Sequence, residues 1–306
     1  MENIIQNGVW PTMITPFTGD DTIDYPAVER LLNWYAENGA AGVFAICQSS
    51  EMFFMTLEEK RELLRFICSH RPKGLQVIAS GHTKDSLKEQ IEEAKYLSDN
   101  DISAYVLLTN RFEKENGQNE ALFRRKAELF TEEIQGIPLG LYECPYPYKR
   151  LMTAPLMKWC ADTGRFLFLK DTCCDTRQMQ EKMEAVRGTG LKLFNANAAT
   201  LLETLKSGAA GFCGIMANFH PNLYVWLCKN YEKEPDRAEK LMNFLGVASV
   251  METQLYPNSA KYYLNQIGVT MEAVSRVRLN EALSYAQKKI ISQLQCVSEE
   301  WSREFH

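Results

Sequence analysis

A lysine closes the apolar run "FLFLK" (Phe166–Lys170), and a tyrosine closes the run "PLGLY" (Pro138–Tyr142). Both runs read as buried strands, and lysine is rarely buried unless it is paired or used. An amine withdrawn from water loses part of its preference for the charged form. In the neutral form it attacks a carbonyl carbon and forms a Schiff base. The resulting iminium draws electrons, so a carbon–carbon bond β to it can break or form. Such a lysine needs a partner that carries protons to and from the carbinolamine, which a phenol within hydrogen-bonding reach can do. Lys170 and Tyr142 are therefore the candidate nucleophile and general acid–base. A 2-oxo acid would also need its carboxylate held, and the backbone N–H groups and hydroxyls of Ser49 and Ser50 suit that task.

Each of these residues has an ordinary alternative. Lys170 precedes Asp171 and could be a surface lysine beside an acid, and Tyr142 could be a core aromatic with its hydroxyl satisfied. Glu51 could sit at the start of the next helix, and Thr15 and Thr172 could use their hydroxyls on nearby backbone. The Cys173-Cys174 pair has no histidine close by, unlike a zinc site. The four histidines (His70, His82, His220 and His306) are scattered and make no metal site, which disfavours a metal-dependent aldolase.

Positioning Lys170 and Tyr142 requires strands. Further candidates are "WPTMIT" (Trp10–Thr15), "GVFAIC" (Gly42–Cys47), "QVIAS" (Gln76–Ser80), "AYVLL" (Ala104–Leu108), "LKLFN" (Leu191–Asn195) and "AGFCG" (Ala210–Gly214). They show little polar alternation, as parallel strands covered on both faces do. Amphipathic stretches lie between them, such as "TLEEKRELLRFICS" with Thr56 as N-cap and "TAPLMKWCADTG" with Pro155 near the helix start. Strand–helix units recurring every ~30 residues predict a parallel β/α barrel, whose chemistry sits at the C-terminal strand ends. A doubly wound sheet fits less well, because no glycine-rich phosphate turn follows the first strand. Beyond Gly214 the chain reads as helix only: "PNLYVWLCKNYEK", "DRAEKLMNFLGVASVMETQ", "SAKYYLNQIG" and "VSRVRLNEALSYAQKKIISQL". The fold expected is a (β/α)8 TIM barrel over residues 1–232 with a C-terminal helical extension, 233–306, packed on it.

Composition narrows the function classes. The 306 residues are 45% hydrophobic and 24% charged, ordinary for a folded soluble chain. A net charge of −5 argues against nucleic acid as a partner. No apolar run approaches the ~18 residues of a membrane span, and the start "MENIIQNGVWPTMITPF" lacks the pattern of a secretory signal. Nine cysteines, an odd number, fall mostly in apolar patterns (Cys47, Cys68, Cys228), where the thiol acts as a small hydrophobe. A reducing cytoplasm is the expected location.

In this order the features resemble the dihydrodipicolinate synthase / N-acetylneuraminate lyase family of class I aldolases, over nearly the whole chain. "GVWPTMITPFTGDDTIDYPAVERLLNWYAENGAAGVFAICQSSE" is similar to the family's opening, where a strand ends in T-P-F and a second leads into a G-[TS]-T-G-E loop. "YECPY" resembles the Y-N-x-P element, which implies proton transfer by Tyr142. "FLKDTCCD" resembles K-[DE]-[ST]-[ST]-G-[DN], which implies a Schiff base on Lys170. "GAAGFCGIMANFHP" resembles the glycine-rich eighth strand and implies Phe212, Cys213 and Gly214 at the site wall. The resemblance also implies a homo-oligomer, dimer or tetramer, and a covalent intermediate with neither metal nor cofactor.

The departures are specific. The loop reads Cys47-Gln48-Ser49-Ser50-Glu51, so both glycines are gone and Gln48 holds the first hydroxyl position. Where the family synthases carry a Tyr-Tyr pair that completes a neighbouring subunit's relay, "LLTNRF" offers Asn110 and Arg111. Pro147 stands where the synthases place an arginine for a second carboxylate, which disfavours lysine biosynthesis. Glu143 replaces the family asparagine. The expected activity is that of a class I aldolase-type lyase on a pyruvate-type 2-oxo acid. Lys170 and Tyr142 would be catalytic, Ser49 and Ser50 would bind the carboxylate, Thr172 and Cys213 would line the pocket, and Gln48 and Arg111 would select the substrate. Two other readings remain: a sugar-acid dehydratase or hydratase-aldolase of the same family, and an idle barrel serving as a 2-oxo acid binder or sensor.

Overall fold

The computed structural model describes residues 5–113, 119–279 and 281–305. Its first half runs β1 (Gly8–Val9), α1 (Tyr25–Glu37), β2 (Gly42–Phe44), α2 (Leu57–His70), β3 (Gln76–Ala79), α3 (Leu87–Ser98), β4 (Ala104–Leu108), the short α4 (Thr109–Phe112) and α5 (Glu120–Glu133). The second half continues with β5 (Leu139–Tyr142), α6 (Ala154–Asp162), β6 (Phe166–Asp171), α7 (Thr176–Ala185), β7 (Lys192–Asn195), α8 (Leu201–Lys206), β8 (Gly211–Phe212) and α9 (Pro221–Asn230). Helices α10 (Pro235–Ala248), α11 (Asn258–Gln266) and α12 (Tyr285–Glu304) follow.

The eight strands pair in parallel in the order β1-β8-β7-β6-β5-β4-β3-β2. A parallel bridge from Thr12 to Phe44 joins the two outer strands, so the sheet closes into a TIM barrel. Closure leaves no unpaired edge and hands every strand's C-terminal end to one mouth. Inside, the Phe168 and Phe194 rings stack with centroids 4.5 Å apart, and the Trp10 ring meets them edge-on at 5.7 and 6.0 Å. The eighth strand is glycine-rich because the backbone of β1 presses on it. A Cβ on Gly211, whose φ is +153°, would lie 1.8 Å from the Gly8 carbonyl oxygen.

Local signals set the helix starts. Thr56 and Glu59 form a reciprocal capping box on α2, as do Ser284 and Gln287 on α12, and the Thr153 hydroxyl accepts from the Leu156 N–H. Two expected elements differ. The first strand was expected over Trp10–Thr15, but only Gly8–Val9 forms a ladder: Pro11 has no N–H to donate, and beyond it the chain makes a single isolated bridge to Phe44 at Thr12. The last helix was expected from Val274, yet it starts at Tyr285. The Val274–Val277 backbone is instead held across the barrel mouth: the Val277 N–H donates to Glu51 at 2.9 Å, and Arg276 pairs with Glu59 and Asp21, each at 2.7 Å. α9 packs on β1 and β8, α10 on α8 and α9, and α12 on α11 and α9. No described helix is long and apolar enough to cross a membrane.

Candidate active site

Register brings the two expected residues together. In the β5–β6 ladder Tyr142 pairs directly with Lys170, one at each strand's mouth end. The Lys170 Nζ sits 4.3 Å from the centroid of the Tyr142 ring, and the lysine is only 5% exposed. Burial raises the Tyr142 phenol well above its ordinary range, with the Cys144 and Cys47 thiols adding to the effect, so the phenol holds its proton at neutral pH. Its hydroxyl donates to Gln48 Oε1 at 3.3 Å, to which the Cys144 thiol also points at 3.6 Å. The Lys170 charge acts on the thiols of Cys47, Cys144 and Cys213, and burial pushes the latter two up to about 11 and about 12. Neutral, polarisable sulfur thus surrounds the amine, and no acid forms an ion pair with it among the described residues.

A buried ion cluster fixes this pair from behind. The Lys182 ammonium, reaching in from α7, lies 2.5 Å from Glu143 and 2.7 Å from Asp171, and all three side chains are at most 2% exposed. Glu143 follows Tyr142 in sequence and Asp171 follows Lys170, so the cluster clamps both strand ends at once. The two carboxylate oxygens of Glu143 also accept the N–H groups of Met152 and Thr172, one each, both at 2.8 Å. Burial opposes the Lys182 charge, but Glu143 and Asp171 together outweigh it and raise its proton affinity. The Thr172 hydroxyl donates to the Glu143 carbonyl at 2.7 Å, which completes the tie between the loops after β5 and β6.

A cavity of about 360 Å³ opens at this mouth. Gln48, Ser49, Tyr142, Lys170 and Thr172 line it, together with Lys149, Asn197, Glu252, Tyr256 and Arg278. Ser49 donates to the Thr12 hydroxyl at 3.2 Å, and both hydroxyls hydrogen-bond Tyr256. The hydroxyl chain through Ser49 therefore leads to Tyr256, while Tyr142 is tied to an amide oxygen. Three of the expected residues stand elsewhere. Ser50 spends its hydroxyl on the Cys47 N–H and carbonyl, both at 2.8 Å, and stabilises the loop that carries Ser49. Cys213 is fully buried behind the cavity wall. Arg111 pairs with Asp85 at 3.2 Å and lies over the Phe53 ring, while its neighbour Asn110 donates to the Cys144, Tyr146 and Tyr148 carbonyls and so shapes the β5 loop.

Glu51 does stand at the entry to the next helical segment, the 3-10 turn Met52–Phe54. It is buried, pairs with Lys261 at 3.4 Å and accepts the Val277 N–H. His82 and His220 are likewise structural: His82 bonds Gln90 and the Leu108 N–H, His220 bonds Ser298, and burial lowers both rings to about 3. His306 lies outside the described residues. Sequence reasoning missed Asn197, Glu252, Tyr256 and Lys182. Asn197 was within reach, two residues past the seventh strand end. Glu252 and Tyr256 come from a segment of helical character, and nothing in its pattern points to the mouth.

The 4-hydroxy-tetrahydrodipicolinate synthase of Clostridium perfringens (strain 13 / Type A) is 26% identical over 219 residues, 72% of this chain and 73% of that protein. The enzyme of the same name from Chelativorans sp. (strain BNC1) is 23% identical over 287 residues, 90% of this chain and 96% of that one. In structure, the chain superposes with a TM-score of 0.86 on YagE, a prophage protein of E. coli K12 solved in complex with pyruvate, at 21% identity and covering 96% and 98% of the two chains. A pyruvate-complexed dihydrodipicolinate synthase from Acinetobacter baumannii gives 0.84 at 20% identity, covering 96% and 99%. A profile of the Dihydrodipicolinate synthetase family matches residues 6–296, and the chain belongs to that family.

Proposed function

We propose that this protein is a class I aldolase-type lyase acting on a pyruvate-type 2-oxo acid through a Schiff base on Lys170. The observation that carries the reading is a buried amine facing a buried, protonated phenol across one strand pair in a cavity of substrate size. The neutral amine attacks the keto carbon. Tyr142 gives its proton to the departing hydroxyl, water leaves, and the iminium forms. The Tyr142 phenolate takes the proton of the hydroxyl on the carbon β to the iminium, the carbon–carbon bond breaks with its electron pair passing into the iminium to give an enamine, and an aldehyde leaves. Protonation of the enamine carbon and hydrolysis of the imine return the free lysine. Ser49, which lines the cavity, and the N–H groups of the 48–50 loop would hold the carboxylate, and Gln48, which accepts from the Tyr142 hydroxyl, would orient it. Two family structures were solved with pyruvate, which supports a substrate of this class. Family likeness further suggests an assembly of two or four copies, which sedimentation would measure.

Lys170→Ala is expected to abolish turnover of 2-oxo acids while the circular dichroism spectrum is retained. Normal turnover in that variant would refute the assignment. Product analysis separates the chemistries: release of an aldehyde marks a lyase, and loss of water with an intact carbon chain marks a dehydratase.

A further inference from the structure

Glu252 comes from the short 3-10 turn Ser249–Thr253 that follows α10, yet it lines the same cavity as Lys170 and Tyr142. Its carboxylate makes no hydrogen bond or ion pair among the described residues, although it is half-buried in the cavity wall. The groups facing it are Lys170 from β6, Tyr224 from α9, Tyr256 just beyond its own turn, and Lys149, Cys174 and Arg278 from the cavity's other walls. Two of these cations are engaged elsewhere: Lys149 donates to the Thr172 carbonyl at 2.8 Å, and Arg278 pairs with Glu281 at 3.5 Å. Lys170 must be neutral to attack, and its charge returns only on the iminium nitrogen at the reacting carbon. Asn197 lines the same cavity, and its side-chain oxygen accepts from the Thr200 N–H and hydroxyl at 3.1 and 3.2 Å, which leaves its amide N–H groups as donors. One wall therefore accepts hydrogen bonds with a negative charge and another donates them.

Building on the Schiff-base reading, we infer that Glu252 selects the far end of the substrate: its carboxylate repels a second carboxylate and accepts hydrogen bonds from a neutral, hydroxyl-bearing tail. A 2-oxo acid held on Lys170 has its own carboxylate in the 48–50 loop, so its remaining carbons extend toward the outer cavity. A like charge there meets an unpaired carboxylate in a space with little water, where repulsion at ~6 Å and an effective dielectric of ~20 disfavours binding at least about tenfold. A hydroxyl in the same place donates a hydrogen bond to Glu252 and accepts one from Asn197. Burial holds the Glu252 carboxyl up at about 7 despite the nearby Lys170 charge, so this selection switches on as pH rises through neutrality.

The test is cyanoborohydride trapping on the full chain, scored as the half-saturating concentration of each 2-oxo acid relative to that of pyruvate. The probes are 2-oxoglutarate, which bears a second carboxylate, and a 3-deoxy-2-oxohexonate with a hydroxylated tail, at about pH 5.5 and about pH 8.5. Referring each value to pyruvate cancels the pH dependence of the amine itself. At the higher pH, Glu252→Gln is expected to improve 2-oxoglutarate by at least about tenfold relative to pyruvate and to weaken the hydroxylated acid. At the lower pH the two proteins should converge, a change that a merely structural role for Glu252 does not produce. If pyruvate is trapped and both ratios are unmoved by the substitution, or move equally at the two pH values, the inference is wrong and the Schiff-base reading stands. If wild-type protein traps no 2-oxo acid at all, both fall together.

Discussion

Lys170 and Tyr142 divide the proposed work between an amine that must be neutral to attack and a phenol that must be protonated to give. Burial supplies the second condition directly, since it holds the Tyr142 proton on well above the ordinary range. Tyr142→Phe keeps the ring against Lys170 and removes only the transferable proton. Turnover is expected to fall by about 10²–10⁴-fold, and steady-state rates equal to wild type would remove Tyr142 from proton transfer. Glu252 offers a check that needs no substrate. Its carboxyl titrates at about 7 in the folded chain and at 4.5 when free, so between those values the folded state keeps a proton that the unfolded chain has released. Stability therefore declines as pH rises from 4.5 to about 7 and is level beyond. Allowing for its partial exposure to water, Glu252→Gln should stabilise the fold by about 2 kcal/mol above neutrality. Urea unfolding across pH would show this gain vanish toward acid, and a pH-independent difference would contradict it.

At the scale of elements, the site depends on two adjacent strand ends held in one register. The ion cluster of Lys182, Glu143 and Asp171 supplies that hold, because each acid sits one residue beyond a proposed catalytic group. Lys182→Met would leave two buried carboxylates facing each other without a cation. A loss of about 3–5 kcal/mol in urea unfolding is expected, and a loss of well under 1 kcal/mol would mean the cluster does not clamp the strands. The inner strands were legible because parallel strands covered on both faces read as unbroken apolar runs ended by the residues that work. The first strand was overread because the apolar pattern around Pro11 conceals a missing N–H. The last helix was placed too early because the helical character of "VSRVRLNEAL" yields to contacts made by Arg276 and Val277 far away in sequence. Glu143 was visible only as a departure from the family asparagine. Its partner Lys182, about two turns into α7, carried no signal, since its meaning comes entirely from what it meets.

For the whole molecule, closure and covering matter together. The barrel closes through β1–β8 pairing and the Thr12–Phe44 bridge, so all strand ends point to one mouth. The Val274–Arg278 stretch then crosses that mouth, tied by Glu51 to Lys261 and to the Val277 N–H. Burial lowers Lys261 to about 8 against the opposing pull of Glu51, so this tie is made at the expense of a desolvated charge. The crossing segment and the turn carrying Glu252 and Tyr256 build the outer wall of the cavity, while the strands build its floor. The barrel could be read from periodicity alone, but this outer wall could not, because it forms only when the C-terminal residues fold back over the strands. The most direct measurement is borohydride reduction in the presence of pyruvate, followed by peptide mass analysis. The expected result is a reduced pyruvyl group on the peptide containing Lys170 and nowhere else, lost in Lys170→Ala. An unmodified Lys170 across a panel of 2-oxo acids, or an adduct on a different lysine, would contradict the assignment at its root.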